Sequence, residues 1–218
     1  MIYIAPSILA ADYAALGSDV LKVPNADLLH VDIMDGHFVP NLSFGPDVTR
    51  AVNGVTDQFL DMHLMIEQPE KWFATYAEAG GDRLVFHVEA TPDHVAAARQ
   101  AHELGVQAGF AVKPGTPIEP YLDSLEHVEE VMIMSVEPGF GGQKFMPEVL
   151  DKVRVLRDHI AGAGLSTIIA IDGGIAEATI AQAAAAGVDS FVAGSAVFGS
   201  DDPAAAVDTL RSVALAAR

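Results

Sequence analysis

His30-Val31-Asp32-Ile33-Met34-Asp35-Gly36-His37 sets an imidazole and a carboxylate two residues apart in an otherwise apolar run. Leu28, Leu29, Val31 and Ile33 read as a buried strand, and the period of two then turns His30 and Asp32 to the same face. Asp61-Met62-His63-Leu64-Met65 repeats the pairing, and Ile168-Ile169-Ala170-Ile171-Asp172-Gly173-Gly174 carries a lone carboxylate at the end of an apolar run. His30, Asp32, His63 and Asp172 can thus be assembled into a site of two imidazoles and two carboxylates. That donor set suits zinc first, with iron(II), manganese or cobalt as alternatives, and is too hard for a thiolate-seeking metal.

Outward from this stretch, short β-rich runs alternate with amphipathic, alanine-rich segments. Strands are expected near 3–8, 27–33, 58–65, 83–88, 107–112, 130–135, 167–171 and 189–194. Helices are expected near 12–23, 47–53, 69–79, 93–104, 118–124, 147–161, 176–186 and 203–216. Pro69 and Pro92 sit near helix starts, and Gly80-Gly81, Gly105 and Gly187 follow helical runs as stops. Eight βα units in 218 residues match the lower size of a (β/α)8 TIM barrel, an α/β fold formed as a single domain over 1–218. An open doubly wound sheet has the same alternation, and no polar linker marks a division into two domains. The barrel is favoured because Ser7, His30, Asp32, His63, Ser135, Asp172 and Gly194-Ser195 fall at the ends of many different strands. A barrel gathers such residues on one rim.

Composition excludes several classes of function. A net charge of −18 argues against nucleic acid or an anionic membrane as partner, since both need clustered Lys and Arg. With no cysteine there is neither a disulfide framework nor a thiolate nucleophile. The N-terminal residues lack a basic leader, and no apolar run reaches the roughly 20 residues of a membrane span, so a cytoplasmic location is expected.

Each feature has an ordinary explanation. One strand histidine is more often a hydrogen-bonded core residue than a ligand. A carboxylate inside an apolar strand is harder to set aside, because burying it without a partner costs several kcal/mol, so Asp32, Asp61 and Asp172 each require one. His87, His94, His102, His127 and His159 show no such constellation. Met34, Met65 and Met134 recur near strand ends, where core packing is the default. The glycines of Pro138-Gly139-Phe140-Gly141-Gly142, of Gly173-Gly174 and of Gly194-Ser195 are singly explained by tight turns. Together, after three successive late strands, they offer backbone N–H groups to an anion where barrels commonly bind phosphate. No Walker-type lysine follows them, so a nucleoside triphosphate is not implied.

Read in order, Ala5-Pro6-Ser7-Ile8-Leu9, His30 to Asn41, His63-Leu64-Met65, Met134 to Gln143 and Asp172-Gly173-Gly174 resemble ribulose-phosphate 3-epimerases from residue 4 to about residue 199. The resemblance implies a metal-dependent isomerase of the pentose phosphate pathway that interconverts D-ribulose 5-phosphate and D-xylulose 5-phosphate. It implies one divalent ion per chain held by His30, Asp32, His63 and Asp172, with Asp32 and Asp172 as the acid and base. Ser7 and His63 would touch substrate. Gly139, Phe140, Gly141, Gly142, Gly173, Gly174, Gly194 and Ser195 would line its phosphate end. The expected partner is a small sugar phosphate, and the expected assembly a homo-oligomer. Lys113 stands where the family usually has asparagine before a proline, and Ala170 where an acidic residue often precedes the Asp-Gly-Gly turn. Neither is among the proposed ligands.

The chemistry is coherent by itself. Taking a proton from the carbon beside a ketone leaves an ene-diolate, and inversion requires a donor on the opposite face, which two carboxylates across a barrel mouth would supply. A 3-epimerase of a six-carbon ketose phosphate such as allulose 6-phosphate shares most of these motifs. Gly141-Gly142 and Gly173-Gly174 favour the pentose enzyme. A non-catalytic sugar-phosphate-binding barrel is the remaining alternative, and retention of both aspartates speaks against it.

Overall fold

A computed structural model describes all of residues 1–218. Eight strands form in the expected places: β1 (Tyr3–Pro6), β2 (Leu29–Met34), β3 (Leu60–Met65), β4 (Arg83–His87), β5 (Gln107–Val112), β6 (Glu130–Met134), β7 (Ile168–Asp172) and β8 (Ser190–Ala193). All neighbours pair in parallel in the order β1-β8-β7-β6-β5-β4-β3-β2, and a bridge from Ser7 to His30 brings the two ends together. The result is the expected (β/α)8 barrel. Because helices cover the outer face and side chains fill the inner one, β2, β3, β4 and β6 are buried along their whole length.

Alternation sorts each strand into two faces. Leu29, Val31 and Ile33 of β2 point outward into the main core beneath the helices, together with Leu60, Phe86, Phe110, Ile169 and Phe191. Inside the barrel a smaller apolar cluster of Ala5, Val85, Ala111, Met132, Met134, Ala170 and Val192 packs around the inward polar residues. Small side chains on β1, β5 and β7 leave room for the large polar ones on β2, β3 and β4.

The helices are α1 (Leu16–Val20), α2 (Pro46–Asn53), α3 (Phe73–Glu78), α4 (His94–Glu103), α5 (Leu150–Ala163), α6 (Glu177–Ala186), α7 (Ser195–Phe198) and α8 (Pro203–Ala216). Asp93 and Asp202 cap α4 and α8 through the N–H groups of Ala96 and Ala205, and left-handed glycines at 164 and 187 end α5 and α6. Three expectations need correction. The helix expected over 69–79 is a 3-10 turn, Pro69–Lys71, followed by the short α3. The helix expected over 12–23 is only α1, because the carboxylates of Asp12 and Asp19 bind the N–H groups of Ala14 and Asp12 and hold the first turns in another path. The α-helix expected over 118–124 is instead a 3-10 segment, Glu119–His127. Pro114 and Pro117 lie at its approach and Pro120 in its first turn, and none of the three has a backbone donor. The four-residue α7, directly after β8, is too short for any periodicity to reveal. No helix is long and apolar enough to cross a membrane.

Candidate active site

The register explains how residues far apart in sequence meet. Asp32 lies opposite His63, His30 opposite Asp61, and Asp61 opposite Arg83, so inward faces of β2, β3 and β4 present a continuous polar row. From across the barrel, Asp172 ends β7 beside Met134. The ligand atoms of His30, Asp32, His63 and Asp172 lie within 4.8 Å of one another. His63 Nδ1 is 3.3 Å from Asp32 Oδ1, 3.4 Å from Asp172 Oδ2 and 3.3 Å from His30 Nε2. The placement differs in one respect from a rim reading: His30, Asp32 and His63 lie within their strands rather than at the ends, because barrel stagger brings mid-strand positions of β2 and β3 level with the end of β7.

His30 and Asp32 are each held from behind. His30 Nδ1 meets Asp61 Oδ2 at 2.9 Å, which turns Nε2 toward the cluster. Asp61 in turn accepts from Arg83 Nε at 2.7 Å. The Ser7 hydroxyl donates to Asp32 Oδ2 at 2.5 Å, leaving Oδ1 for the imidazoles. These contacts supply the partners that Asp32 and Asp61 require.

Electrostatics follow from this packing. Burial alone would raise the Asp32 carboxyl, yet the His30 and His63 imidazoles hold it far below the usual carboxylate range. Burial likewise opposes charge on His30 and His63, but neighbouring aspartates outweigh it and raise both imidazoles. Asp61, despite its burial, is lowered to about 2 by Arg83 and His30. Glu130 differs. Burial pushes it up to about 8, and although Arg83 Nη2 lies 2.7 Å from Oε2, the pair lacks hydrogen-bond alignment, so neither Glu130 oxygen gains a directional partner. One guanidinium faces two carboxylates, and the aligned one, Asp61, keeps its charge.

Above the cluster opens a cleft of about 670 Å³. Ser7, Asp32, Asp172, Gly139, Phe140, Gly141, Gly142, Gly173, Gly174, Gly194 and Ser195 line it, whereas His30 and His63 are fully buried beneath. Met34, Met65 and Met134 are buried as expected of core residues, and they also form part of the cleft wall. The N–H groups of Gly174 and Gly194 donate to no acceptor within the chain. No Lys or Arg lines the cleft, so an anion there would meet backbone N–H groups.

His87 is misread from sequence. It is fully buried on β4, stacks on the His63 ring at 5.1 Å between centroids, and bonds to His63 through the two Nε2 atoms at 3.0 Å. Its period-two spacing to Glu89 was the available signal. Nothing local in the sequence distinguishes Arg83 and Glu130 from strand-edge charges.

Comparison with known proteins adds to this geometry. Residues 3–198 match the family model described as the ribulose-phosphate 3 epimerase family. A ribulose-phosphate 3-epimerase of Mycobacterium tuberculosis (strain ATCC 25618 / H37Rv) is 57% identical over 214 residues, 98% of this chain and 93% of that protein. One of Bacillus subtilis (strain 168) is 42% identical, covering 97% of this chain and 99% of that protein. Among solved structures, KGPDC from Streptococcus mutans superposes with a TM-score of 0.74 at 14% identity, over 99% of this chain and 98% of that one. The 3-hexulose-6-phosphate synthase of Salmonella typhimurium gives 0.71 at 16% identity over 100% of both. These two share the fold.

Proposed function

The chain belongs to the ribulose-phosphate 3-epimerase family and is an isomerase, and from that premise we propose that Asp32 and Asp172 exchange the C3 proton of D-ribulose 5-phosphate and D-xylulose 5-phosphate from opposite faces. The observation that carries the reading is the meeting of two carboxylates, from β2 and from β7, over two buried imidazoles at the floor of the cleft. Two nitrogen and two oxygen donors within 4.8 Å, with His30 braced by Asp61, fit one divalent ion. His30, Asp32, His63 and Asp172 would hold it, and it would supply Lewis-acid stabilisation of negative charge developing on the substrate oxygens.

The chain's own groups do the rest. One aspartate takes the C3 proton as the other delivers one to the opposite face, and the roles reverse with direction. Ser7 fixes Asp32 by its Oδ2 so that the carboxylate cannot swing away from the cleft. Gly174, Gly194 and Ser195 would bind the phosphate through backbone N–H groups, which suits a chain of net charge −18 that cannot attract anions from afar. KGPDC from Streptococcus mutans, a fold neighbour at 14% identity, has also been solved in complex with a sugar phosphate, which supports such a ligand in this cleft.

Exhaustive chelation should abolish epimerisation of ribulose 5-phosphate, and zinc, manganese, cobalt or iron(II) should restore it. Full turnover by metal-free protein overturns the metal reading. Faster turnover of allulose 6-phosphate than of ribulose 5-phosphate overturns the substrate.

A further inference from the structure

For His63 to offer the Nδ1 lone pair to a cation, its ring proton must sit on Nε2. That N–H then needs an acceptor in a fully buried place, and His87 Nε2, 3.0 Å away, is positioned to take it. His87 can accept there only with its own proton on Nδ1, which lies 3.1 Å from Glu89 Oε2. A carboxylate accepts and never donates when ionised, so it sets the direction of the whole row. Glu89 is itself anchored: its Oε1 takes the Lys113 N–H at 2.8 Å and the Thr116 hydroxyl. Lys152 Nζ clamps the same loop from α5, donating to the carbonyls of Lys113 and Pro114 at 2.9 and 2.7 Å. The Phe38 ring covers His87 at 4.8 Å and carries Lys113 Nζ 4.0 Å over its centroid.

We propose that His87 and Glu89 are a positioning pair that locks His63 in the Nε2–H tautomer with Nδ1 bare toward Asp32 and Asp172. The inference rests on the metal reading above for its purpose. It gives the two histidine ligands one logic: His30 is oriented by a carboxylate directly, through Asp61, and His63 by a carboxylate acting through a second imidazole. Outer partners of this kind commonly govern metal affinity by roughly 10- to 100-fold.

The test compares wild type with His87→Phe, which keeps a ring in the stack but has no acceptor, His87→Gln, whose side-chain oxygen can accept, and Glu89→Gln, which changes no volume. Zinc affinity is measured by chelator competition. The His63 tautomer is read by nitrogen-15 NMR in zinc-loaded protein and in metal-free protein at alkaline pH. Expected are a roughly 10- to 100-fold weaker zinc affinity in His87→Phe, with mixed His63 tautomers in its metal-free form, partial recovery in His87→Gln and a smaller loss in Glu89→Gln. A single Nε2–H tautomer with wild-type zinc affinity in both His87→Phe and Glu89→Gln overturns the proposal. Should His87→Phe not fold, Glu89→Gln alone decides by the same two readings. Failure of the wild type to bind zinc sinks the metal reading instead, and the alkaline tautomer comparison still judges the pair.

Discussion

Asp32 has no idle oxygen: Oδ1 faces the imidazoles, and Oδ2 takes the Ser7 hydroxyl at 2.5 Å. Ser7→Ala leaves Oδ2 without that donor, and a hydrogen bond to a charged group contributes about 1.5–3 kcal/mol. If Asp32 acts as proposed, the expected outcome is a roughly 10- to 150-fold fall in kcat at undiminished metal content; an unchanged kcat would mean that Ser7 has no part in aligning that carboxylate. Asp32→Asn and Asp172→Asn should each lower net epimerisation by at least the roughly 10²- to 10⁴-fold of lost acid–base catalysis. With metal retained, each variant should still exchange deuterium into one epimer only, and a different one for each. If one variant labels both epimers equally and the other neither, a single base performs both transfers. At this scale the sequence revealed which carboxylates needed partners but not who answers them. Asp61 finds Arg83 through a register between two strands that no local pattern specifies. His87 is not legible in the sequence, because one imidazole in a strand carries no signal without the neighbouring ring that stacks on it.

Among the elements, the eight strands were legible because apolar β-branched runs bounded by turn residues repeat along the chain, whereas helix extent depended on caps. The α-helix expected over 118–124 is instead the 3-10 segment that ends at His127. Beside the proposed approach of backbone to an anion, packing makes its own demand for glycine at position 174. Its φ is +63°, and a Cβ there would lie 2.5 Å from the Phe145 N atom, so the β7 loop needs glycine to pack against the β6 loop. Gly174→Ala should therefore lower stability by about 1–3 kcal/mol, beyond any effect on KM. Thermal unfolding checks this: an unchanged Tm with a raised KM would return the residue to a role in phosphate binding alone.

For the whole molecule, Glu130 sets a pH dependence of stability. Its folded pKa is raised to about 8, burial being the main cause, so the folded state binds a proton that the unfolded state has lost above the ordinary glutamate range. Its contribution is complete below about pH 4.5 and is lost progressively as pH rises from there through 8. Glu130→Gln removes that loss, and its advantage over wild type should grow from pH 5 to pH 9, at about 2–4 °C in Tm for each kcal/mol relieved. An advantage that shrinks across that range would show Glu130 to be ionised and well paired. The closure between β1 and β2 carries another consequence. That junction is the barrel's seam, joined by the Ser7 to His30 bridge, by Asp27 to Ile4 contacts and by the Ser7 hydroxyl on Asp32. A cation gripped by β2, β3 and β7 would span this seam like a hoop around staves. At about 100-fold excess over its Kd it would add about 2.7 kcal/mol to the closed form. Amide hydrogen exchange at Ile4 and Asp27 should then slow on zinc loading, and a rate indifferent to zinc would mean that the barrel holds its own staves shut.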